Sequence, residues 1–344
     1  MAKDKNIAAR LKAARIKNES TAAELFDGIR KGSSKELGQA LTLLESNHEK
    51  DRTIASELVE RCLPHSGNSI RVGISGVPGV GKSTFIESFG THLIAEGKKV
   101  AVLAIDPTSE KSGGSILGDK TRMNNLSQNS NAFIRPSPTS GQLGGVAQKT
   151  RESILLCEAA GYDAILVETV GVGQSEIAAS SMVDFFLLLM LAGAGDELQG
   201  IKRGIMEIAD ALVVTKADGE NKASAKVAAA NYKNALHLFP ANQNGWTPRV
   251  LTCSALENKG LDLIWNMIES FQNDMTIKGH FNSNRQDQAV HWMHESIKHA
   301  LFSDFYSSEN VENKLSELEN KVRSEKLSPT AAAREILDDL YNKK

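Results

Sequence analysis

One segment constrains the fold of this chain more than any other: Gly76-Val77-Pro78-Gly79-Val80-Gly81-Lys82-Ser83. It fits the pattern GxxxxGK[ST] and lies between a β-rich run and a segment of helix length. Glycines let the backbone turn tightly, so that successive amides at the start of a helix point at phosphate oxygens. The sequence therefore predicts a phosphate-binding loop made by Gly76, Gly79, Val80, Gly81, Lys82, Ser83 and Thr84.

Two side chains of this loop have specific predicted roles. Lys82 would neutralise the β- and γ-phosphates, and the Ser83 hydroxyl would ligate Mg²⁺. We therefore expect a nucleoside triphosphate with Mg²⁺ as the ligand. The loop by itself does not identify the base.

From Arg71 onward, short apolar runs alternate with helix-length segments. Strands are predicted at residues 71–75, 99–105, 164–167, 185–191, 211–214 and 249–253. Nearly unbroken apolar strands separated by helices are typical of a parallel sheet covered on both faces. We expect an α/β protein of the P-loop NTPase class, with a mainly parallel sheet and helical extensions at both ends.

The composition narrows the class of function. With 344 residues, 41% of them hydrophobic, and a net charge of -2, the chain is expected to be globular and not to coat nucleic acid. Cys62, Cys157 and Cys253 are never in CxxC spacing, which indicates buried thiols in a reducing compartment. The longest apolar run, residues 185–195, is too short to span a bilayer, and Met1–Asn18 does not fit a signal peptide. A cytoplasmic location is expected, with neither nucleic acid nor membrane as partner.

A carboxylate follows the third predicted strand. Glu168 stands three residues before Gly171 in Glu168-Thr169-Val170-Gly171. The carboxylate can hold a Mg²⁺-bound water, and the Gly171 amide can sense the γ-phosphate. This is the position of switch II in GTPases, with Glu in place of the usual Asp.

A second strand end carries a base-reading pattern. Thr215-Lys216-Ala217-Asp218 resembles NKxD, in which the Asp accepts two hydrogen bonds from guanine N1 and N2 that adenine does not offer. Thr215 replaces the Asn that normally ties this loop to the phosphate loop, and its hydroxyl can keep part of that role. The alternative for this segment alone is an ordinary strand exit with an Asp that caps the next helix.

A third motif follows the last predicted strand. Cys253-Ser254-Ala255-Leu256 occupies the place where GTPases have an SA[KL] loop, whose amide contacts guanine O6. The order of these motifs at successive strand ends predicts a guanine nucleotide and a GTPase. The predicted base contacts are Lys216, Asp218, Ser254, Ala255 and Leu256.

Longer motifs carry a family resemblance over about residues 35–305. They are Ile105–Ser109, Gly113–Met123, Ile134–Pro138, Leu143–Gly145 and Glu168–Glu176. In these segments the chain resembles the MeaB/ArgK family of P-loop GTPases, which includes the methylmalonic aciduria type A protein. The resemblance implies that Asp106 and Asp119 are switch I carboxylates near Mg²⁺, and that Glu168 and Lys82 act in catalysis with them. Thr215 departs from the NKAD of the family.

The same resemblance implies a cellular role. Members act as G-protein chaperones that bind adenosylcobalamin-dependent methylmalonyl-CoA mutase, gate its cofactor loading by GTP hydrolysis and protect it from inactivation. The alternative, from older names of relatives, is an ATPase or kinase of a lysine, arginine and ornithine transport system. Asp218 and the lack of a membrane segment in the sequence favour the GTPase chaperone.

The chain is expected to have three parts. These are an N-terminal helical extension (1–65), a P-loop GTPase domain (66–272) and a C-terminal helical dimerisation arm (273–344). In the arm, Val311, Leu315, Leu318 and Val322 have the 4-3-4 spacing of a coiled-coil seam. Such a seam needs a cover, either the chain's own GTPase domain or a partner subunit, and the resemblance implies a homodimer.

Overall fold

The computed structural model describes residues 21–46, 48–105, 123–136, 143–169, 174–193, 203–240, 242 and 244–341. The chain divides into two compact units, Met1–Gln288 and Ala289–Lys344. The first unit contains the sheet and the phosphate loop. None of the helices in these ranges is long and apolar enough to cross a membrane.

The strands of the described ranges form one parallel sheet. They are β1 (Ile70–Gly76), β2 (Val100–Ile105), β3 (Ala132–Arg135), β4 (Ala164–Thr169), β5 (Phe185–Met190), β6 (Ala211–Val214) and β7 (Arg249–Thr252). Their order is β3-β2-β4-β1-β5-β6-β7, and every pair is parallel. This confirms the predicted α/β fold of the P-loop NTPase class.

Helices connect the strands and extend both ends of the sheet region. They are α1 (residues 21–30), α2 (Ser34–Glu45), α3 (Glu49–Cys62), α4 (Lys82–Ala95), α5 (Asn124–Ser127), α6 (Leu143–Ala159), α7 (Gln174–Ser180), α8 (Arg203–Glu207), α9 (Asn221–Leu236), α10 (Leu261–Ile277), α11 (His280–Tyr306), α12 (Glu309–Arg323) and α13 (Pro329–Tyr341). The helical segments expected at both ends are therefore present.

The sequence patterns did not reveal strand β3. Its four residues, Ala132–Arg135, are all half-buried at the edge of the sheet. Such a short edge strand lacks the continuous apolar run that marks the central strands. Strands β1, β2, β4, β5 and β6 are fully or largely buried, whereas β7 at the opposite edge is exposed or half-buried. All six correspond to the predicted runs, with small differences at their ends.

Aromatic side chains from two helices close the core over one face of the sheet. Phe85 and Phe89 of α4 stack with ring centroids 5.3 Å apart. Phe271 of α10 makes edge contacts with Phe185 and Trp246 at 5.0 and 5.1 Å. These rings exclude water from the apolar strands beneath them, which is the main stabilising term for such a layer.

Aspartates make a repeated contact at the amino edge of the sheet, where the strands begin. Each precedes a strand and accepts a hydrogen bond from a backbone N–H beside a neighbouring strand: Asp163 from Lys99, Asp184 from Arg71, and Asp210 from Phe186. Burial raises the pKa of Asp210 to about 7, with a contribution from the charge of Asp184.

A buried ion-pair network joins α11 to the same edge. Arg285 donates two hydrogen bonds to Asp184, at 2.7 and 2.6 Å, and lies 3.7 Å from Glu158. Glu158 also accepts a pair of hydrogen bonds from Arg71, both 2.9 Å long. Since buried charges are tolerated when they are paired and hydrogen-bonded, this network fixes the start of α11 on the first unit.

The first unit includes both the N-terminal helices and the residues around 272. Arg30 donates a hydrogen bond to the carbonyl oxygen of Ala159 at the end of α6. Helix α10 crosses the boundary expected between residues 272 and 273 and continues to Ile277, with Met275 buried in the core. The compact unit accordingly continues to Gln288.

The predicted seam has a cover within the second unit. Val311 and Leu318 of α12 are buried against Ala332 and Ile336 of α13. An ion pair between Lys314 and Glu335, 2.9 Å long, flanks this contact. The chain's own last helix therefore covers this seam, and the predicted need for the GTPase domain or a partner subunit as its cover is wrong.

Candidate functional site

The phosphate loop connects the end of β1 to the start of α4. Gly79 and Gly81 have φ angles of +79° and +93°, a region that favours glycine. A Cβ atom on Gly76 would lie 2.5 Å from the carbonyl oxygen of Leu189 on the neighbouring strand. Glycine is therefore required at all three positions for the loop to take this path.

Lys82 lies folded back over this loop. Its Nζ donates a hydrogen bond of 2.7 Å to the carbonyl oxygen of Gly76. Burial lowers the pKa of Lys82, while the negative charges of Glu168 and Glu176 act in the opposite direction. A half-buried cation held by a neutral carbonyl is available for stronger acceptors, and phosphate oxygens are such acceptors.

Ser83 and Glu168 meet beside the lysine. Ser83 Oγ and Glu168 Oε1 are 3.4 Å apart, and only 5% of Glu168 is exposed. Strands β1 and β4 are neighbours, which brings the first turn of α4 next to the carboxylate at the end of β4. A hydroxyl and a carboxylate are hard oxygen donors, so this pair fits Mg²⁺.

A second carboxylate lies near the same lysine. Glu176 of α7 is completely buried, and its charge acts on the pKa of Lys82. The sequence motifs included Glu176 in the family resemblance without giving it a role. Its burial next to the phosphate loop is a signal that the sequence pattern alone does not carry.

The loop after β6 is tied to the phosphate loop by two side chains. Thr215 Oγ1 donates a hydrogen bond of 2.7 Å to the carbonyl oxygen of Val80. Lys216, at φ +54°, extends its Nζ to the carbonyl oxygen of Gly79, at 2.8 Å. Thr215 thus makes the link to the phosphate loop that Asn makes in NKxD, which agrees with the role expected for its hydroxyl.

The loops after β6 and β7 also meet. Ser254 Oγ donates to Asp218 Oδ2 at 2.5 Å and accepts a hydrogen bond from the backbone N–H of Glu257. The Ala217 N–H donates to the carbonyl oxygen of Cys253. The carboxylate expected to read guanine N1 and N2 therefore lies beside the loop expected to read O6.

Helix α4 supports the loop after β7 through a contact that the sequence motifs did not indicate. The Ser88 hydroxyl donates a hydrogen bond of 2.9 Å to the carbonyl oxygen of Ala255. The next side chain, Leu256, is 77% exposed. No motif includes Ser88, and only the position of α4 against the loop reveals its contact.

The structure thus gathers most of the predicted site residues at the carboxyl edge of the sheet. Asp106, Asp119 and Gly171 lie outside the described residues. Within the described ranges, no group of three or more His, Cys, Asp or Glu side chains could hold a metal ion. The oxygen pair of Ser83 and Glu168 is accordingly the place where Mg²⁺ fits best among these residues.

The glycine-rich loop with its lysine and serine lies beside the Glu168 carboxylate, and Asp218 and Ser254 meet after β6 and β7. This arrangement at successive strand ends is that of a P-loop GTPase. Comparisons with known proteins identify the family. The family model described as methylmalonyl Co-A mutase-associated GTPase MeaB matches residues 37–310. The chain belongs to this family.

Full-length relatives agree with this assignment. GTPase ArgK of Escherichia coli is 47% identical over 93% of this chain and 96% of its own. The mitochondrial methylmalonic aciduria type A homolog of Mus musculus is 46% identical over 90% of this chain and 77% of its own. A crystal structure titled LAO/AO transport system kinase is 40% identical, with a TM-score of 0.75, and covers 94% of this chain and 98% of its own. The family description and the name of the Escherichia coli relative both give GTPase, which supports GTP hydrolysis as the activity of the chain.

Proposed function

We propose that this GTPase is a G-protein chaperone of adenosylcobalamin-dependent methylmalonyl-CoA mutase, or of a related acyl-CoA mutase. It would gate cofactor loading by GTP hydrolysis, protect the mutase from inactivation and work in the cytoplasm. The family description names an association with this mutase, and the mouse relative carries the name of methylmalonic aciduria. The structural observation that supports the proposal is the hydrogen bond from Thr215 to Val80, which ties the loop of Asp218, proposed to read guanine, to the phosphate loop.

The described residues suggest how the chain would bind GTP and GDP. The Asp218 carboxylate would accept hydrogen bonds from guanine N1 and N2, and the loop of Ser254–Leu256 would offer its amides to O6. The amides at the start of α4 would hold the phosphates together with Lys82, whose Nζ would exchange the Gly76 carbonyl for phosphate oxygens. Recognition of the base and of the phosphates would therefore occur on one continuous surface.

The metal site would use the adjoining oxygen donors. Ser83 and Glu168 would hold Mg²⁺, and the family resemblance adds Asp106 and Asp119 from switch I. When bound, the ion supplies positive charge that neutralises the β- and γ-phosphates while the γ-phosphoryl group is transferred to water. Gly171, three residues after Glu168, is proposed to sense the γ-phosphate through its amide. Hydrolysis would remove this contact and change the conformation of switch II.

A transport kinase remains the second candidate because a solved relative bears that title. The two functions differ in the expected nucleotide. Calorimetry with GTP, GDP, ATP and ADP separates them: a guanine site binds the first two far more tightly, since adenine offers no partner for the Asp218 carboxylate. Equal affinities would favour the kinase.

The mutase partnership is tested with purified proteins. The full chain is mixed with an adenosylcobalamin-dependent methylmalonyl-CoA mutase and run on gel filtration with a non-hydrolysable GTP analogue, with GDP or without nucleotide. We expect a complex whose affinity depends on which nucleotide is bound. The Lys82→Ala variant is the control, because it should lose this nucleotide dependence. If no complex forms with the GTP analogue, with GDP or without nucleotide, the proposal is refuted.

We also propose that the chain forms a homodimer through α11. Apolar side chains recur on one face of this helix and remain about half exposed or more: Val290 55%, Met293 51%, Ile297 48% and Leu301 66%. Their spacing of three and four residues is that of a continuous helical stripe. A second copy of the chain would cover the stripe by the symmetric pairing that most homo-oligomers use.

Substitutions on this stripe test the homodimer in the full chain. Ile297→Glu with Leu301→Glu places two charges on the stripe, and light scattering should then give the mass of a monomer. Ser303→Glu is the matched control, since Ser303 is an exposed residue of α11 off the stripe. A wild-type chain that is monomeric at micromolar concentration with GDP and with a GTP analogue would contradict the dimer.

A further inference from the structure

A hydrogen bond connects the helix of the phosphate loop to the loop expected to read the base. Ser88 Oγ on α4 donates to the carbonyl oxygen of Ala255 at 2.9 Å. Helix α4 begins at Lys82, so Ser88 is on the rigid element whose first turn faces the phosphates. The base-reading loop is therefore attached to the same helix that would hold the phosphates.

Hydrogen bonds fix both Ala255 and the residue before it, Ser254. On one side, Ser254 Oγ donates to Asp218 and accepts from the Glu257 N–H, at 2.5 and 3.1 Å. On the other side, Ser88 fixes the Ala255 carbonyl. Because a peptide group is planar, a fixed carbonyl also fixes the N–H of the next residue, Leu256. The amides of this short loop consequently have little freedom to turn.

We propose that Ser88 is a positioning residue for guanine O6, an inference that rests on the guanine site proposed above. Ser88 holds the loop of Ser254–Leu256 so that its amides point at O6 before the nucleotide arrives. Donors that are oriented in advance lose less entropy on binding than donors on a free loop. Asp218 reads the N1 and N2 edge, so the two halves of base recognition depend on different side chains.

Two nucleotide analogues separate these halves. 6-Thio-GDP has a sulfur, a weaker acceptor, in place of O6, whereas IDP lacks only the N2 amine. In Ser88→Ala we expect GDP to bind about threefold to tenfold more weakly, the value of one hydrogen bond. The preference for GDP over 6-thio-GDP should fall by a similar factor, and the preference for GDP over IDP should stay unchanged.

Variants of the same helix provide the controls. Ser88→Thr keeps a hydroxyl and should retain both preferences. Thr91→Ala removes a hydroxyl that donates to the backbone carbonyl oxygen of Glu87 in the same helix, at 2.7 Å. This variant should behave like the wild type. All affinities are measured by calorimetry on the full chain.

Three outcomes would overturn the proposal. Ser88→Ala with both preferences intact would show that the hydroxyl does not orient the loop. An equal fall in both preferences would show a general loss of structure instead of an effect on O6. A wild-type chain with no preference for GDP over either analogue would refute the guanine site itself, and the role of Ser88 with it.

Discussion

The Thr215 hydroxyl donates a hydrogen bond of 2.7 Å to the carbonyl oxygen of Val80 inside the phosphate loop. Thr215 is only 3% exposed, so this bond is shielded from water. Its Oγ1 also lies 3.3 Å from the carbonyl oxygen of Met190, at the end of β5. One short side chain therefore joins the loop after β6, the phosphate loop and the sheet.

The first prediction concerns this link. Thr215→Ala removes the donor and leaves the Val80 carbonyl without its partner, which costs about 1 kcal/mol or more. Since the link orders both loops, we expect GDP to bind about fivefold to tenfold more weakly by calorimetry. Thr215→Ser keeps the hydroxyl and serves as the control. Equal affinity of the Ala and Ser variants would show that the link has no part in binding.

The second prediction concerns the choice of base. Asp218→Asn replaces one acceptor by an amide donor, which no longer matches guanine N1 and N2 but matches the C2 oxygen of xanthine. GDP affinity should fall about tenfold to a hundredfold, and XDP affinity should rise. Asp262→Asn, at an exposed position in the first turn of α10, is the matched control. Unchanged preference for GDP over XDP would place the base elsewhere.

The sequence was sufficient to predict the sheet because its central strands are buried on both faces. The run Phe185–Met190 is entirely apolar and lies completely inside. Strand β3 escaped prediction because its three apolar residues, Ala132–Ile134, form too short a run to indicate a strand by themselves. The seam on α12 was recognised from its spacing, but spacing does not tell which helix covers it, and α13 does so.

The parts of the candidate site that consist of residues close together in the sequence could be predicted. The phosphate loop follows from consecutive residues, and the roles proposed for Asp218 and Ser254 follow from known motifs at strand ends. Their hydrogen bond to each other, like that of Ser88 to Ala255, depends on how separate loops pack. Such long-range contacts leave no pattern in a single sequence.

The third prediction concerns catalysis. Lys82→Ala removes the cation that would neutralise the phosphates, and GTP hydrolysis should fall by a factor of about a hundred or more. Glu168→Gln keeps the shape of the side chain but removes its charge beside Ser83. We expect hydrolysis to need more Mg²⁺ and to slow about tenfold or more, while GDP affinity changes much less.

Phosphate release at a series of Mg²⁺ concentrations measures both effects. Glu269→Gln, at a partly exposed position on α10 whose carboxylate lies 4.0 Å from Lys98, is the control for a neutralised surface glutamate. Normal hydrolysis and normal Mg²⁺ dependence in Glu168→Gln would refute a metal-binding role for this carboxylate.

The last prediction concerns stability and pH at the amino edge of the sheet. Burial raises the pKa of Asp210 to about 7 from the ordinary aspartate value of 3.8, so the native state keeps a proton that the unfolded chain loses between these values. The stability that this proton contributes is fully present below about pH 4 and is lost as the pH rises toward 7. Asp210→Asn does not titrate, and its amide oxygen can still accept the hydrogen bond from the Phe186 N–H. The variant should therefore gain stability relative to the wild type from pH 4 to 7, by about 1 to 3 kcal/mol, and the difference should stay constant above pH 7.

Urea unfolding at about pH 4.5, 6, 7 and 8, which brackets the titration, measures the free energy of unfolding of both proteins. Asp163→Asn is the control, because Asp163 makes the same kind of contact, to the Lys99 N–H, but is exposed to water. A stability difference for Asp210→Asn that does not change with pH would show that this carboxyl group is not held in its neutral form by the fold.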